Sequence, residues 1–130
     1  MLDTNAASHV IKGTFPKIRA KLSVVPMASV CISTVTEAEL LFGAARKANS
    51  PRLGVAVREF LLRVETLAWD SAAAAAYAEL RARLERGGKP LGAMDMMIAA
   101  HAIACDVTLV TTDRAFREIG TLTVVDWTQS

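Results

Sequence analysis

Five short apolar runs alternate along this chain with longer segments of helical period, and that alternation constrains the fold more than any single residue. Residues 1–2, 30–33, 66–69, 107–111 and 122–126 read as strands. Residues 6–11, 16–22, 35–47, 51–64, 71–86 and 93–105 read as helices. Thr108-Leu109-Val110 lacks the polar alternation of a half-exposed strand, so both of its faces must be covered. Strand and helix in turn imply an α/β fold: a parallel sheet with helices on both faces, a three-layer α/β/α sandwich. The alanines from Ala72 to Ala76 supply helix propensity, and Tyr77, Leu80 and Leu84 continue at helical spacing. Asp70 should cap that helix, and Gly87-Gly88 with Pro90 should end it. A chain of 130 residues is long enough for one ordinary core and too short for two, so residues 1–130 are expected to form a single domain.

Apolar residues make up 52% of the chain, which argues against disorder. The net charge of +2 does not demand a nucleic-acid partner, but it removes the objection that an acidic protein would repel one. Cys31 and Cys105 stand in apolar runs, outside any CxxC, and read as buried free thiols of a reducing compartment. No signal segment opens the chain, and the first strand is clipped so close to Met1 that a start codon a few residues upstream would fit. The most apolar stretch, 94–105, is too short for a membrane span and is broken by Asp95 and His101. A soluble, cytoplasmic protein is expected. Phosphate loops, dinucleotide fingerprints and zinc spacings are absent, and neither Ser8 nor Ser33 has a histidine at a nucleophile's spacing.

Parallel sheets of this kind bind ligands beyond the carboxyl ends of their strands. By that rule Asp3 closes the first strand and Asp113 follows the fourth. Glu39 lies early in the helix after the second strand, and Asp95 in the first turn of its own helix, just after Gly92, which would give a ligand access to the backbone. These four can meet at one edge, whereas Asp106 precedes the fourth strand and belongs at the other. Each acid also has a plainer role open to it. Asp3 can form an Asx turn, Asp113 an N-cap, Asp95 a complement to its helix N-terminus, and Glu39 an ion pair with Arg46 or Lys47.

Glu37 competes with Glu39. The stripe Val35, Ala38, Phe42 and Ala45 is expected to be buried, with Glu39 on its flank, where a carboxylate needs a partner or a cation. Glu37 points away and completes a capping box with Thr34. His101 lies on a different face from Asp95 and reads as a packed residue without a catalytic role. Met94, Met96 and Met97 read as core filling or a subunit contact.

Four carboxylates gathered together would repel one another unless a divalent ion joined them. Oxygen-only ligands select a hard cation, magnesium or manganese, over zinc or copper; magnesium is the expected ion, and manganese would substitute. Such an ion orients a phosphodiester, acidifies water and stabilises the leaving oxygen. Asp3 and Asp95 are the first candidates as ligands. Glu39 and Asp113 would hold a second ion or a water, with Asn5, Thr111 and Thr112 as orienting groups. Arg46, Lys47 and Arg114 are candidates to hold flanking phosphates, although solvated surface is the plainer reading of each.

The stretches Met1-Leu2-Asp3-Thr4-Asn5, 32–43 (ISTVTEAELLFG), 90–104 (PLGAMDMMIAAHAIA), 109–116 (LVTTDRAF) and Val124-Val125-Asp126-Trp127 follow one another along the whole chain. In that order they resemble the PIN-domain ribonucleases of the VapC toxin type. The resemblance implies a magnesium-dependent endoribonuclease that cuts RNA of the translation machinery. It also implies a homodimer and a VapB-type antitoxin that inserts a segment near the acidic pocket. The family's four acids map onto Asp3, Glu39, Asp95 and Asp113. Met94 departs from the pattern, since the family often has a polar residue there, and this touches a rim contact. A flavodoxin-like phosphoacceptor would need two adjacent acids at the first strand and a strand-end lysine, and has neither. An inactive PIN-like RNA-binding or protein-interaction domain should have lost acids, and all four are present.

Overall fold

The computed structural model describes residues 1–47, 49–88 and 91–129. Its strands are β1 (Cys31–Ser33), β2 (Glu65–Leu67), β3 (Leu109–Val110) and β4 (Val124–Val125). Its helices are α1 (Thr4–Lys12), α2 (Pro16–Val24), α3 (Thr34–Arg46), α4 (Pro51–Arg63), α5 (Ser71–Arg86) and α6 (Ala93–Cys105). Strand β1 pairs with β2 and β3 with β4, both in parallel, with Ile32 opposite Thr66 and Leu109 opposite Val124. The first three residues join the two ribbons. Leu2 N–H donates to the Cys31 carbonyl at 2.9 Å, Val110 N–H to Met1 at 2.8 Å, and Asp3 N–H to Val110 at 3.0 Å. The order across the sheet is therefore β2, β1, residues 1–3, β3, β4. The expected first strand is central, although it is reduced to one parallel bridge between Leu2 and Val110.

Adjacent residues of these central segments point to opposite faces, as strand geometry requires. Met1, Cys31 and Leu109 enter one cluster with Leu80 and Leu84 of α5 and Ile98 and Ala99 of α6. Leu2, Ile32 and Val110 enter the other, with Ala6 of α1, Leu40 of α3, and Val57 and Phe60 of α4. These are the three layers expected.

Several local expectations shift, each for a visible reason. Helix α1 starts at Thr4 rather than residue 6, because the Asp3 carboxylate caps it by accepting Ala6 N–H at 2.8 Å. Trp69 leaves β2: its backbone N–H donates to Thr34 Oγ1 at 3.2 Å and its indole N–H to the Met97 carbonyl at 3.0 Å. The N-cap of α3 is Ser33, whose hydroxyl accepts Val35 N–H at 3.1 Å, so the capping box of Thr34 with Glu37 does not form. On α3 the buried side chains are Val35, Thr36 and Leu40, while Phe42 is 63% exposed and Ala38 and Ala45 face solvent. The expected stripe is rotated because Leu40 is drawn into the layer of α1 and α4. Cys31 is buried as expected, but Cys105, in the last turn of α6, is exposed. Asp70 caps α5 by accepting Ala73 N–H at 3.0 Å, and Gly88 beyond its end takes a left-handed φ of 65°. Pro90, expected to end that helix, lies outside the described residues. Among those residues no helix is long and apolar enough to cross a membrane.

Candidate active site

Asp3 stands at the carboxyl end of the central segment and is 3% exposed. Burial pushes its carboxyl pKa up; hydrogen bonds from Thr111 and Ala6 pull it back, and the charge of Asp113 adds to the rise. The Thr111 hydroxyl also accepts Asp113 N–H at 3.0 Å, so one side chain just past β3 ties both acids together. Asp113 is exposed and caps the 3-10 turn Arg114–Glu118 through Ala115 N–H at 2.9 Å. The plainer role foreseen for it is thus present as well, and among the described residues its second oxygen is uncommitted.

Glu39 lies half-buried on α3 beside Leu40. Its Oε1 accepts the Thr4 hydroxyl at 2.5 Å, and Thr4 Oγ1 lies 3.4 Å from Thr36 Oγ1. Among the described residues it makes no ion pair with Arg46 or Lys47. Asp95 occupies the first turn of α6, and its carboxylate has no hydrogen-bond partner among the described residues. Its pKa is raised by burial first, then by the charges of Asp3, Glu39 and Asp113. The four acids therefore act on one another at one sheet edge, although four separate segments carry them. Asp106 sits at the far end of α6, in a left-handed C-cap with φ of 53°. Gly92 has an ordinary φ of −60°, and an added Cβ would stand 3.8 Å from Asp95 Oδ2, so no special backbone conformation demands glycine there.

The donors suit a hard divalent cation, since every one is a carboxylate oxygen, with the Thr111 hydroxyl behind Asp3 and the Thr4 hydroxyl behind Glu39. Among the described residues no three metal-ligating side chains already stand close enough to grip one ion. Among the described residues no hydrogen bond pins the Asp95 carboxylate, so its rotamer is free to change. Asn5 is exposed and Thr112 half-buried, and among the described residues neither bonds a carboxylate. Arg46, Lys47 and Arg114 are all exposed.

Sequence reasoning missed Thr4, Thr36 and Ser33 as supporting groups. The only signal for the first two was proximity: Thr4 follows Asp3, and Thr36 precedes Glu39 by one helical turn. His101 is packed, as expected, at 1% exposure, with Nδ1 2.8 Å from Ser33 Oγ. Ser33 Oγ accepts Val35 N–H and shares a second hydrogen bond with Nδ1, and the ring is also hydrogen-bonded to the Ala68 backbone. Burial lowers the His101 pKa, against the opposing pull of Asp70. This neutral imidazole links α6, which carries Asp95, to the strand that leads into α3 and Glu39.

Comparison with known proteins agrees with this architecture. The PIN-domain family matches residues 1–122. A Shigella flexneri protein named tRNA(fMet)-specific endonuclease VapC is 39% identical over 129 residues, 98% of this chain and 96% of its own. Ribonuclease VapC2 of Haemophilus influenzae is 35% identical over the same shares. Among solved structures, VapBC2 from Rickettsia felis, bound to a DNA fragment from its promoter, superposes with a TM-score of 0.91 at 30% identity, covering 98% of this chain and 97% of that one. DNA-bound VapBC from Salmonella typhimurium gives 0.90 at 36% identity, covering 98% and 96%. The chain belongs to the PIN-domain family, in its VapC ribonuclease branch.

Proposed function

We propose that this protein is a magnesium-dependent endoribonuclease, the toxin of a VapBC-type pair, acting as one nuclease domain over its whole length. The observation that carries the reading is the charge environment of Asp95, built by Asp3, Glu39 and Asp113 from other segments. Asp3 and Asp95 would hold the ion, with Glu39 and Asp113 beside them, and manganese would substitute for magnesium. When bound, the ion supplies an acidified water and stabilises charge on the leaving oxygen. The chain's own groups supply the positioning. Ala6 N–H and Thr111 fix the Asp3 carboxylate, Thr4 holds Glu39, and Thr111 orients Asp113 through its backbone. Two relatives are named for tRNA(fMet), so the initiator tRNA is the first substrate to test. A cleft of about 400 Å³ between α3 and α4, lined by Leu41, Ala45, Pro51 and Val55, suits an apolar antitoxin segment. Assembly as a homodimer accompanies that reading.

RNA-end sequencing after induced expression tests the activity. Cuts should appear with wild type and vanish with Asp3→Asn or Glu39→Gln, while Glu37→Gln should retain them. Loss with Glu37→Gln and retention with Glu39→Gln would reverse the assignment on α3. Manganese titration separates a nuclease from an inactive binding domain: the nuclease should show saturable thermal stabilisation, the inactive domain none.

A further inference from the structure

A second cavity, of about 150 Å³, opens from the carboxylate edge between α1, α3 and the start of α4. Thr4 and Glu39 form one end of it. Asn5 and Ser8 line the α1 wall, and Lys12, Arg46 and Lys47 line the rest of the polar rim. The floor is apolar, with Leu40 and Val57 buried beneath it. Among the described residues Glu39 is the only acid in this lining, against three cations.

Each cation has a local explanation, since Lys12 and Arg46 lie in the last turns of α1 and α3, where positive charge offsets the helix dipole. That accounts for them singly. It does not account for their pooling at one cavity that begins at a catalytic carboxylate. Among the described residues none of the three forms an ion pair. The Arg46 guanidinium lies 5.4 Å from the centroid of the Phe42 ring, a contact that orients it without neutralising it.

We propose that this groove is a subsite for single-stranded RNA beside the scissile phosphate, with Lys12 and Arg46 holding a flanking phosphate and Asn5 and Ser8 facing the adjoining ribose or base. The proposal rests on the ribonuclease reading above. An endonuclease must hold its chain on both sides of the cut, so the path out of the carboxylate edge needs positive charge. Unstacked bases in loops expose their edges and 2′-hydroxyls to short polar side chains of the Asn5 and Ser8 kind. Among the described residues no aromatic side chain lines the groove, so selection here acts through hydrogen bonds rather than stacking.

The test is steady-state cleavage of an RNA hairpin by the full chain with magnesium, for wild type and a Lys12→Ala, Arg46→Ala double variant. Neither residue lines the cleft proposed for the antitoxin. Both are exposed, so the variant should fold. KM should rise roughly tenfold with kcat unchanged, the loss expected for charged hydrogen bonds to phosphate. The dependence of log KM on log salt should become shallower by about 0.7 for each phosphate contact removed. Asn5→Ala with Ser8→Ala should instead change base preference at one position next to the cut, leaving the salt slope alone. Arg83→Ala with Arg86→Ala on α5 removes the same charge elsewhere and should leave KM near wild type. A double variant that cleaves with wild-type KM and salt slope overturns the subsite, as does an equal effect from the α5 pair. Loss of inhibition by antitoxin at unchanged KM assigns the groove to a protein partner and also overturns it. A wild type that cuts no RNA with magnesium or manganese refutes the ribonuclease reading itself, a distinct failure.

Discussion

Asp95 is the acid on which the other three act, and its ionisation shows how a site of this kind opposes the fold that holds it. Its pKa in the folded chain lies above the ordinary aspartate value of 3.8, so the native state keeps the proton longer than the unfolded chain. Stability is therefore full below 3.8 and falls as pH rises through the raised value. Above that window the ionised carboxylate works against folding. Asp95→Asn removes the conflict. In the presence of a chelator at neutral pH, it should melt above wild type, and the gain should shrink at strongly acidic pH, where wild type is protonated too. Added manganese should stabilise wild type more than the variant. Equal melting temperatures in chelator would show that the Asp95 charge is already relieved by other means.

At the scale of elements, the pair His101 and Ser33 decides how α6 meets β1 and α3. Ser33 serves two elements at once, capping α3 through Val35 N–H and satisfying the buried imidazole nitrogen of His101.

 Ser33→Ala removes the cap and orphans that nitrogen together. Urea unfolding should show a loss of about 1–3 kcal/mol, and a loss below about 0.5 kcal/mol would mean that water or a neighbour replaces the hydroxyl. The imidazole also makes the clamp sensitive to acid. Its folded pKa lies below the unfolded value of 6.5, so the unfolded chain takes up the proton first as pH falls. The stability it contributes is present above 6.5 and is lost as pH falls towards the lowered folded value. Asp70 opposes this by favouring the charged ring. Stability measured between pH 7 and 5 should decline less steeply in His101→Gln than in wild type, and parallel slopes would rule His101 out as the source.

Across the whole molecule, one sheet separates two apolar clusters, one under α5 and α6, the other under α1, α3 and α4. Neither cluster is complete without the strands, so the two should melt together. Ile98 is fully buried in the first cluster, and Phe60 is 8% exposed in the second. Ile98→Ala should cost about 2–5 kcal/mol and Phe60→Ala about 3–5 kcal/mol, each shifting one common unfolding transition. Leu62, 88% exposed, should tolerate alanine within about 0.5 kcal/mol. Two separated transitions in either core variant would contradict a single cooperative domain.

The order of strands and helices, the parallel sheet and the edge at which Asp3, Glu39, Asp95 and Asp113 end were legible in the amino-acid sequence. Hydrophobic period and chain direction are local properties, and a parallel sheet places the carboxyl ends of its strands together. The Thr111 hydroxyl beside Asp3 and Asp113 was legible too, whereas the rotation of α3, the exposure of Cys105 and the hydroxyl contacts of Thr4, Thr36 and Ser33 were not. Thr4 meets Glu39 across 35 residues and Ser33 meets His101 across 68, contacts between side chains that no local pattern couples. Which face of α3 is buried depended on the layer of α1 and α4 that Leu40 joins, so only the packed chain could decide it.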